Sequence, residues 1–135
     1  MKIDKQLEQR VGTLHGVRLF LRPSSLLGSL LLWLFFRRVA ARQLGLEEDE
    51  VKTAASMLTI AHWLSDLLHQ LGHARAARQV GYPMSSIRLM HVLAASTYPK
   101  DEPPLPPQTH IHRAWGGVKV SLFLTVVLGL LGSVL

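Results

Sequence analysis

The chain has 135 residues, of which 48% are hydrophobic and 18% are charged, and its formal net charge is +6. Soluble domains carry about 25% charged residues, so the low charge and the high apolar content exclude a disordered chain and favour a membrane protein. There is no cysteine, which excludes a disulfide framework, a cysteine-ligated zinc finger, an iron–sulfur cluster and thiol catalysis. The length predicts one domain, residues 1–135.

The N-terminal part combines polar residues with the first apolar run. Residues 4–15 are polar, without the pattern of a cleavable signal peptide, and predict a short surface helix or an irregular segment. GVRLFL at 16–21 predicts a short strand. Pro23 and the serines after it begin a helix whose residues 24–42 reach spanning length if the arginines near its end extend to the interface.

The acidic run EEDE at 47–50 predicts the start of a long helix, because carboxylates favour a helix N-terminus. Residues 51–73 of this helix predict a second span. Its polar members include His62, Asp66, His69 and Gln70. Polar groups are costly inside an apolar span, and they usually mark a site that faces the protein interior.

Residues 81–113 predict a cytoplasmic loop with a strand or hairpin region near 84–98, in which Ile87–Ala94 has the pattern of a strand. Four prolines between positions 103 and 107 predict an exposed irregular segment. Residues 114–135 are apolar and predict a third span. This segment ends at Leu135 without a polar tail, which indicates a chain cut short or a very short protein that ends in the bilayer.

Basic residues set the predicted orientation. Ten lysines and arginines flank the spans on the side of the N-terminus and the long loop, against four on the other side, so we expect the N-terminus in the cytoplasm. The predicted fold is mostly α, with about three transmembrane helices in the cytoplasmic membrane of a prokaryote. The bilayer is therefore the first expected partner. Nucleic acid is excluded as a partner because the basic residues make no stripe with aromatic residues.

His69 and His73 are the strongest candidates for a metal site. Residues four apart on a helix share one face, so both imidazoles can bind one ion. This is the metal-binding half of the zinc-protease motif H-E-x-x-H. Gln70 stands where the motif has glutamate, and a carboxamide cannot accept a proton from a zinc-bound water. The spacing alone is also compatible with a structural histidine pair.

Three segments resemble the site-2 protease family of intramembrane zinc metallopeptidases. The central one is LLHQLGHARAARQVGYPMSSIRL at 67–89, and the flanking ones are GVRLFLRPSSLLG at 16–28 and HRAWGGVKVSLFL at 112–124. The resemblance implies a zinc ion bound by His69 and His73, with Gln70 at the position of the catalytic glutamate. It also implies a strand beside the zinc helix that pairs with an extended substrate.

Besides Gln70, the chain departs from the family pattern at the third ligand and at a later turn. The family's third ligand is an aspartate in an L-D-G context, and this chain has no such motif. Val118 stands where the family has a proline after two small residues. A glutamine at position 70 could be natural or introduced, and the sequence does not separate the two.

Asp66 has three interpretations that the sequence leaves open. It could hold a ligand histidine by a hydrogen bond, it could be the third metal ligand, or it could pair with His62 or a basic side chain. His91, His110 and His112 could complete a zinc site if the loop folds back, although loop histidines are usually solvated.

The sequence supports two functional hypotheses. The first is a zinc metallopeptidase homologue of the site-2 protease type, with impaired or no proteolysis because Gln70 replaces the general base. The alternative is a non-catalytic pseudoprotease, similar to a chaperone, that holds a transmembrane peptide or a membrane protein. Haem binding ranks below both, since the other two predicted spans contain no histidine.

Overall fold

The computed structural model describes residues 7–135, and this range is mostly helical with one small sheet, as the sequence predicts. The helices are α1 (Pro23–Gln43), α2 (Glu48–Gln79) and α3 (Pro107–Val134). The strands are β1 (Gln9–Leu14), β2 (Val17–Leu21), β3 (Ser86–Met90) and β4 (Leu93–Thr97).

The sheet has the order β1-β2-β3-β4. β1 and β2 form an antiparallel hairpin, as do β3 and β4, while β2 and β3 pair in parallel. The parallel pair is possible because α1 and α2 lie between β2 and β3 in the chain, which provides the long connection that parallel strands need.

The strand predictions at 16–21 and 84–98 are confirmed, and the second region is a hairpin. The continuous strand predicted for 87–94 is wrong at its centre, because His91 and Val92 form the turn and His91 has a φ of 53°.

The prediction of a helix or irregular segment at 4–15 is wrong for Gln9–Leu14, which is a strand; residues 4–6 lie outside the described range. A turn at His15 and Gly16, with φ values of 48° and 80°, reverses the chain tightly enough to pair β1 with β2.

The helix starts follow from local sequence. α2 begins with a capping box in which the side chains of Glu47 and Glu50 bond each other's backbone N–H groups. α3 begins at Pro107, so the loop predicted for 81–113 ends earlier than expected. Proline is accepted in the first helical turn, where its missing N–H has no partner to lose. His110 and His112 therefore lie on a helix.

The C-terminal half of α2 packs against the sheet. The buried core between them contains Val17, Ala74, Met84, Ile87 and Ala94. α2 also contacts both other helices and is the centre of the helical layer. Because α2 lies between α3 and β4, its polar residues, which belong to the second predicted span, contact both elements.

Within residues 7–135, α1 and α3 are long and apolar enough to cross a membrane, by length and composition. They correspond to the first and third predicted spans. α2 is longer, with 32 residues, but its polar residues keep it from meeting the same criterion.

Candidate functional site

The imidazoles of His69 and His73 lie within hydrogen-bond distance of each other on the face of α2 that meets α3. The Nε2 atoms of His69 and His73 are 2.9 Å apart, and the rings meet edge to face with centroids 4.6 Å apart. Both side chains are partly buried. The helical spacing thus brings the two nitrogens to one point, as the sequence predicts.

The outer nitrogen of each ring is held by α3. Nδ1 of His73 lies 2.8 Å from the carbonyl oxygen of Arg113, and Nδ1 of His69 lies 2.7 Å from Oγ of Ser121. The backbone N–H of Gly117 also lies 3.3 Å from Nδ1 of His73, but the carbonyl is the nearer partner. A carbonyl can only accept, so we assign the hydrogen to Nδ1 of His73, and in the neutral ring its Nε2 then presents a lone pair.

The direction of the hydrogen bond between Ser121 and His69 determines whether a hydrogen or only lone pairs lie between the two Nε2 atoms. If the hydroxyl donates to Nδ1 of His69, Nε2–H of that ring donates to His73, and the histidines form a structural pair. If the hydroxyl accepts instead, both Nε2 lone pairs face one point. That second state is the arrangement of two metal ligands whose other nitrogens are held by protein acceptors.

Gly117 leaves the space beside the two nitrogens open. A Cβ built on this residue would lie 2.6 Å from Nε2 of His69 and closer still to Nε2 of His73. Arg113, Gly117 and Ser121 follow one another at intervals of four and therefore share the face of α3 that meets the histidines. The sequence alone does not assign Ser121 or the Arg113 carbonyl to the site, because their spacing shows only that they share a face and not what that face meets.

The donor set fits the nitrogen half of a zinc site. A tetrahedral zinc ion with Zn–N bonds of about 2.0–2.1 Å separates two ligand nitrogens by about 3.4 Å, so the observed 2.9 Å requires only a small side-chain shift. Among residues 7–135, no group of three or more histidine, aspartate and glutamate side chains is arranged to hold a metal. The third ligand is therefore not assigned to any protein side chain in this part of the chain.

Gln70 lies one residue from His69 but turns toward the sheet, where 8% of its surface is exposed. Its amide nitrogen donates to the carbonyl oxygen of Ala94 over 2.9 Å, and its amide oxygen accepts from the hydroxyl of Ser96. Only a carboxamide can donate and accept at these two points at neutral pH, because an ionised carboxylate is an acceptor alone.

Asp66 also bonds to β4: its carboxylate accepts from the N–H of Ala94. His62 lies one turn earlier, with Nε2 2.7 Å from the carbonyl oxygen of Val92. His62, Asp66 and Gln70, four residues apart on α2, thus form an edge clamp on the outer side of β4. The clamp satisfies backbone groups that an edge strand would otherwise leave unpaired.

An open cleft of about 440 Å³ lies beside His73. Its wall includes Gln70, Ser96 and Tyr98 from the α2–sheet side and His110 from the first turns of α3. His110 therefore faces the region that the sequence associates with the site, whereas His112 lies 3.3 Å from the amide oxygen of Gln79 and His91 lies in the β3–β4 turn.

A buried guanidinium closes one side of this cleft. Arg113 is 4% exposed, donates to both carboxylate oxygens of Glu102 and to the carbonyl oxygen of Tyr82, and lies over the ring of Tyr98 at 4.2 Å. These bonds hold the loop before α3 against the end of α2. They also position the Arg113 carbonyl that receives the hydrogen of His73.

The pKa of Glu102 lies below its ordinary value, chiefly because the Arg113 side chain donates hydrogen bonds to the carboxylate. When folding lowers the pKa of a carboxyl, the ionised group stabilises the fold. This stabilisation is complete above the ordinary pKa of about 4.3 and is lost as the pH falls through the lowered pKa. We therefore expect the melting temperature in detergent to fall more steeply below about pH 4 in the wild type than in Glu102→Gln.

Asp101→Asn is the matched control for this experiment, since it neutralises the neighbouring exposed carboxylate. It is expected to keep the steep acid limb of the wild type. Identical acid profiles for Glu102→Gln and the wild type would show that the Glu102–Arg113 pair does not hold the loop.

Comparisons with protein-family models, with curated proteins and with solved structures found no match to this chain. The geometry of the site is consequently the basis on which a function can be assigned.

Proposed function

We propose that this protein is a membrane-embedded pseudoprotease of the site-2 protease type. It holds a metal ion through His69 and His73 and binds a polypeptide segment without cleaving it. The observation that carries the proposal is the position of Gln70, whose amide donates to Ala94 and accepts from Ser96, both in β4.

The exposed apolar surface supports a membrane location. Large apolar side chains cover the outer faces of α1 and α3, and soluble monomers rarely expose such extensive patches. On α2, Met57, Ile60, Leu64 and Leu68 are 66%, 60%, 55% and 42% exposed and follow one another at helical intervals along one stripe. This stripe supports α2 as a third span, with its polar side turned to the protein. The excess of basic residues beside the spans on the side of the N-terminus and the long loop favours a cytoplasmic N-terminus.

The metal site consists of the two Nε2 atoms, with the histidine rings oriented by Arg113 and Ser121. In zinc proteases, the metal lowers the pKa of its bound water and polarises the substrate carbonyl. In this chain, Ser121 would accept from His69 and the Arg113 carbonyl from His73, so that both rings keep the tautomer that a metal requires.

Proteolysis also needs a base beside the metal, and Gln70 cannot supply one. Loss of a positioned acid or base lowers a rate by roughly 10² to 10⁴. The amide instead joins α2 to β4, together with Asp66. The residue that stands at the family's catalytic position therefore has a different role, which is to hold the edge strand in place.

The cleft beside His73 is the proposed binding region. The edge clamp occupies the outer backbone groups of β4 at Ala94. Beyond them β4 runs to Thr97, and Ser96 and Tyr98 line the cleft. An extended segment of a transmembrane peptide or membrane protein could lie there, because an edge strand offers backbone partners.

The test uses the full chain in vesicles with a synthetic single-span peptide that has a Gly-Pro pair at its centre. A photoreactive amino acid at position 110, which lines the cleft, is expected to crosslink to the peptide, and one at exposed position 108 is not. No cleavage products are expected with added zinc. Equal crosslinking from both positions would overturn peptide binding. Zinc-dependent cleavage that His69→Ala abolishes would overturn the pseudoprotease assignment.

A further inference from the structure

A second groove lies on the opposite side of α2 from the edge clamp. It is a cavity of about 560 Å³ between α2, α3 and the β1–β2 turn. Gly72 on its wall is two residues from Gln70, which places the two about 200° apart around the helix. The groove is therefore separate from the histidine site and from the cleft beside it.

The groove is apolar along most of its length and basic at one end. Leu68, Leu71 and Val120 form apolar wall, whereas Arg75 and Arg78 stand at the end nearer the β1–β2 turn. From Leu68 to Arg78 the helix rises about 15 Å. This is about half the thickness of the hydrocarbon core of a bilayer.

The two arginines carry charge without an acidic partner in residues 7–135. The ion pairs of this part of the chain involve neither of them. Arg78 donates to the carbonyl oxygen of His15, and both arginine side chains are exposed. Like charges three residues apart are neighbours on a helix and repel each other, so an anion between them is favoured.

We propose that this groove binds a single anionic phospholipid, with its phosphate between Arg75 and Arg78 and an acyl chain along the apolar wall. A phosphate ion alone would satisfy the arginines but would leave the apolar wall uncovered. The predicted orientation places this end of α2 on the cytoplasmic side, where the membrane leaflet carries anionic lipids. The inference rests on the membrane location in the proposed function, and it is independent of metal and peptide binding.

Native mass spectrometry of the full chain in a neutral detergent tests the proposal, with dioleoyl phosphatidylglycerol as the probe. The wild type is expected to retain one such lipid in preference to dioleoyl phosphatidylcholine. Arg75→Gln is expected to weaken retention roughly 5-fold, and Arg75→Gln/Arg78→Gln roughly 25-fold. Leu68→Trp, which fills the apolar wall, is expected to weaken it as well. Arg38→Gln/Arg42→Gln loses the same charge elsewhere and is expected to retain the lipid.

Three outcomes would overturn the proposal. They are equal loss of lipid in the Arg38→Gln/Arg42→Gln control, unchanged retention in Leu68→Trp, and competition by inorganic phosphate as effective as that by the lipid. The variant His69→Ala/His73→Ala is expected to bind the lipid like the wild type. A failure of the metal site would therefore leave this result unchanged, and a failure of lipid binding would leave the metal site intact.

Discussion

Replacing Gln70 by glutamate is expected to destabilise the protein at neutral pH and to leave it without proteolytic activity. The new carboxylate would face the carbonyl oxygen of Ala94, to which the amide nitrogen now donates. A buried acceptor without a donor costs about 1–3 kcal/mol. The sequence would then contain the complete H-E-x-x-H motif, but the glutamate would lie in the edge clamp against β4.

The loss is expected to depend on pH. Burial and the opposing carbonyl oxygen both disfavour an ionised carboxylate at this position, whereas a protonated carboxyl can donate to that oxygen. The variant is therefore expected to be tolerated while the carboxyl is protonated and to lose stability when it ionises. The melting temperature of Gln70→Glu should therefore approach that of the wild type near pH 4 and fall below it at pH 7.

Gln108→Glu provides the control, since it makes the same chemical change at an exposed position in the first turn of α3. Its melting temperature should stay close to that of the wild type at both pH values. If Gln70→Glu kept its neutral-pH stability and cleaved a transmembrane peptide in the presence of zinc, Gln70 would be a disabled base and the clamp would be incidental.

The crossing of α2 and α3 is expected to be the most sensitive packing contact in the molecule. A Cβ on Gly116 would lie 2.6 Å from Cβ of Ala76 and nearer still to the carbonyl oxygen of Gly72. The backbone of Gly72 cannot move aside as a flexible side chain can. Gly116→Ala is therefore expected to push the helices apart at a cost of about 1–3 kcal/mol, and to separate the histidines from Ser121.

Gly129→Ala is the matched control on the same helix, because a Cβ there meets no atom within 4 Å. Alanine is favoured over glycine in a helix by roughly 0.5–1 kcal/mol, so this variant should melt no lower than the wild type. Thermal unfolding in detergent compares the two. Equal melting temperatures for Gly116→Ala and Gly129→Ala would contradict the close helix crossing.

The helices could be predicted from the sequence because their signals are local. Charged residues, a proline and the acidic capping run mark where α1 and α2 begin. The strand β1 was missed because Gln9–Leu14 has little apolar pattern and pairs only through the turn at His15 and Gly16. The turn has a histidine where two-residue hairpins usually have asparagine, aspartate or glycine, so the hairpin lacks their usual sequence signature.

The site was predictable only in its part on α2. The spacing of His69 and His73 already places both imidazoles on one face of α2. The spacing does not reveal the partner of Asp66. The sequence suggests a histidine or a basic residue, whereas in the structure the carboxylate accepts from the backbone N–H of Ala94 in β4. The roles of Ser121 and Gly117 likewise depend on how α3 crosses α2, which no local pattern determines.

The most direct test of the central claim is the zinc content of the purified full chain in detergent, measured after removal of loosely bound metal and addition of zinc. The proposed site predicts about one zinc ion per chain in the wild type and none in His69→Ala/His73→Ala. No zinc in the wild type, or the same amount in the double variant, would contradict a metal site and leave the histidines as a structural pair joined by a hydrogen bond between their Nε2 atoms.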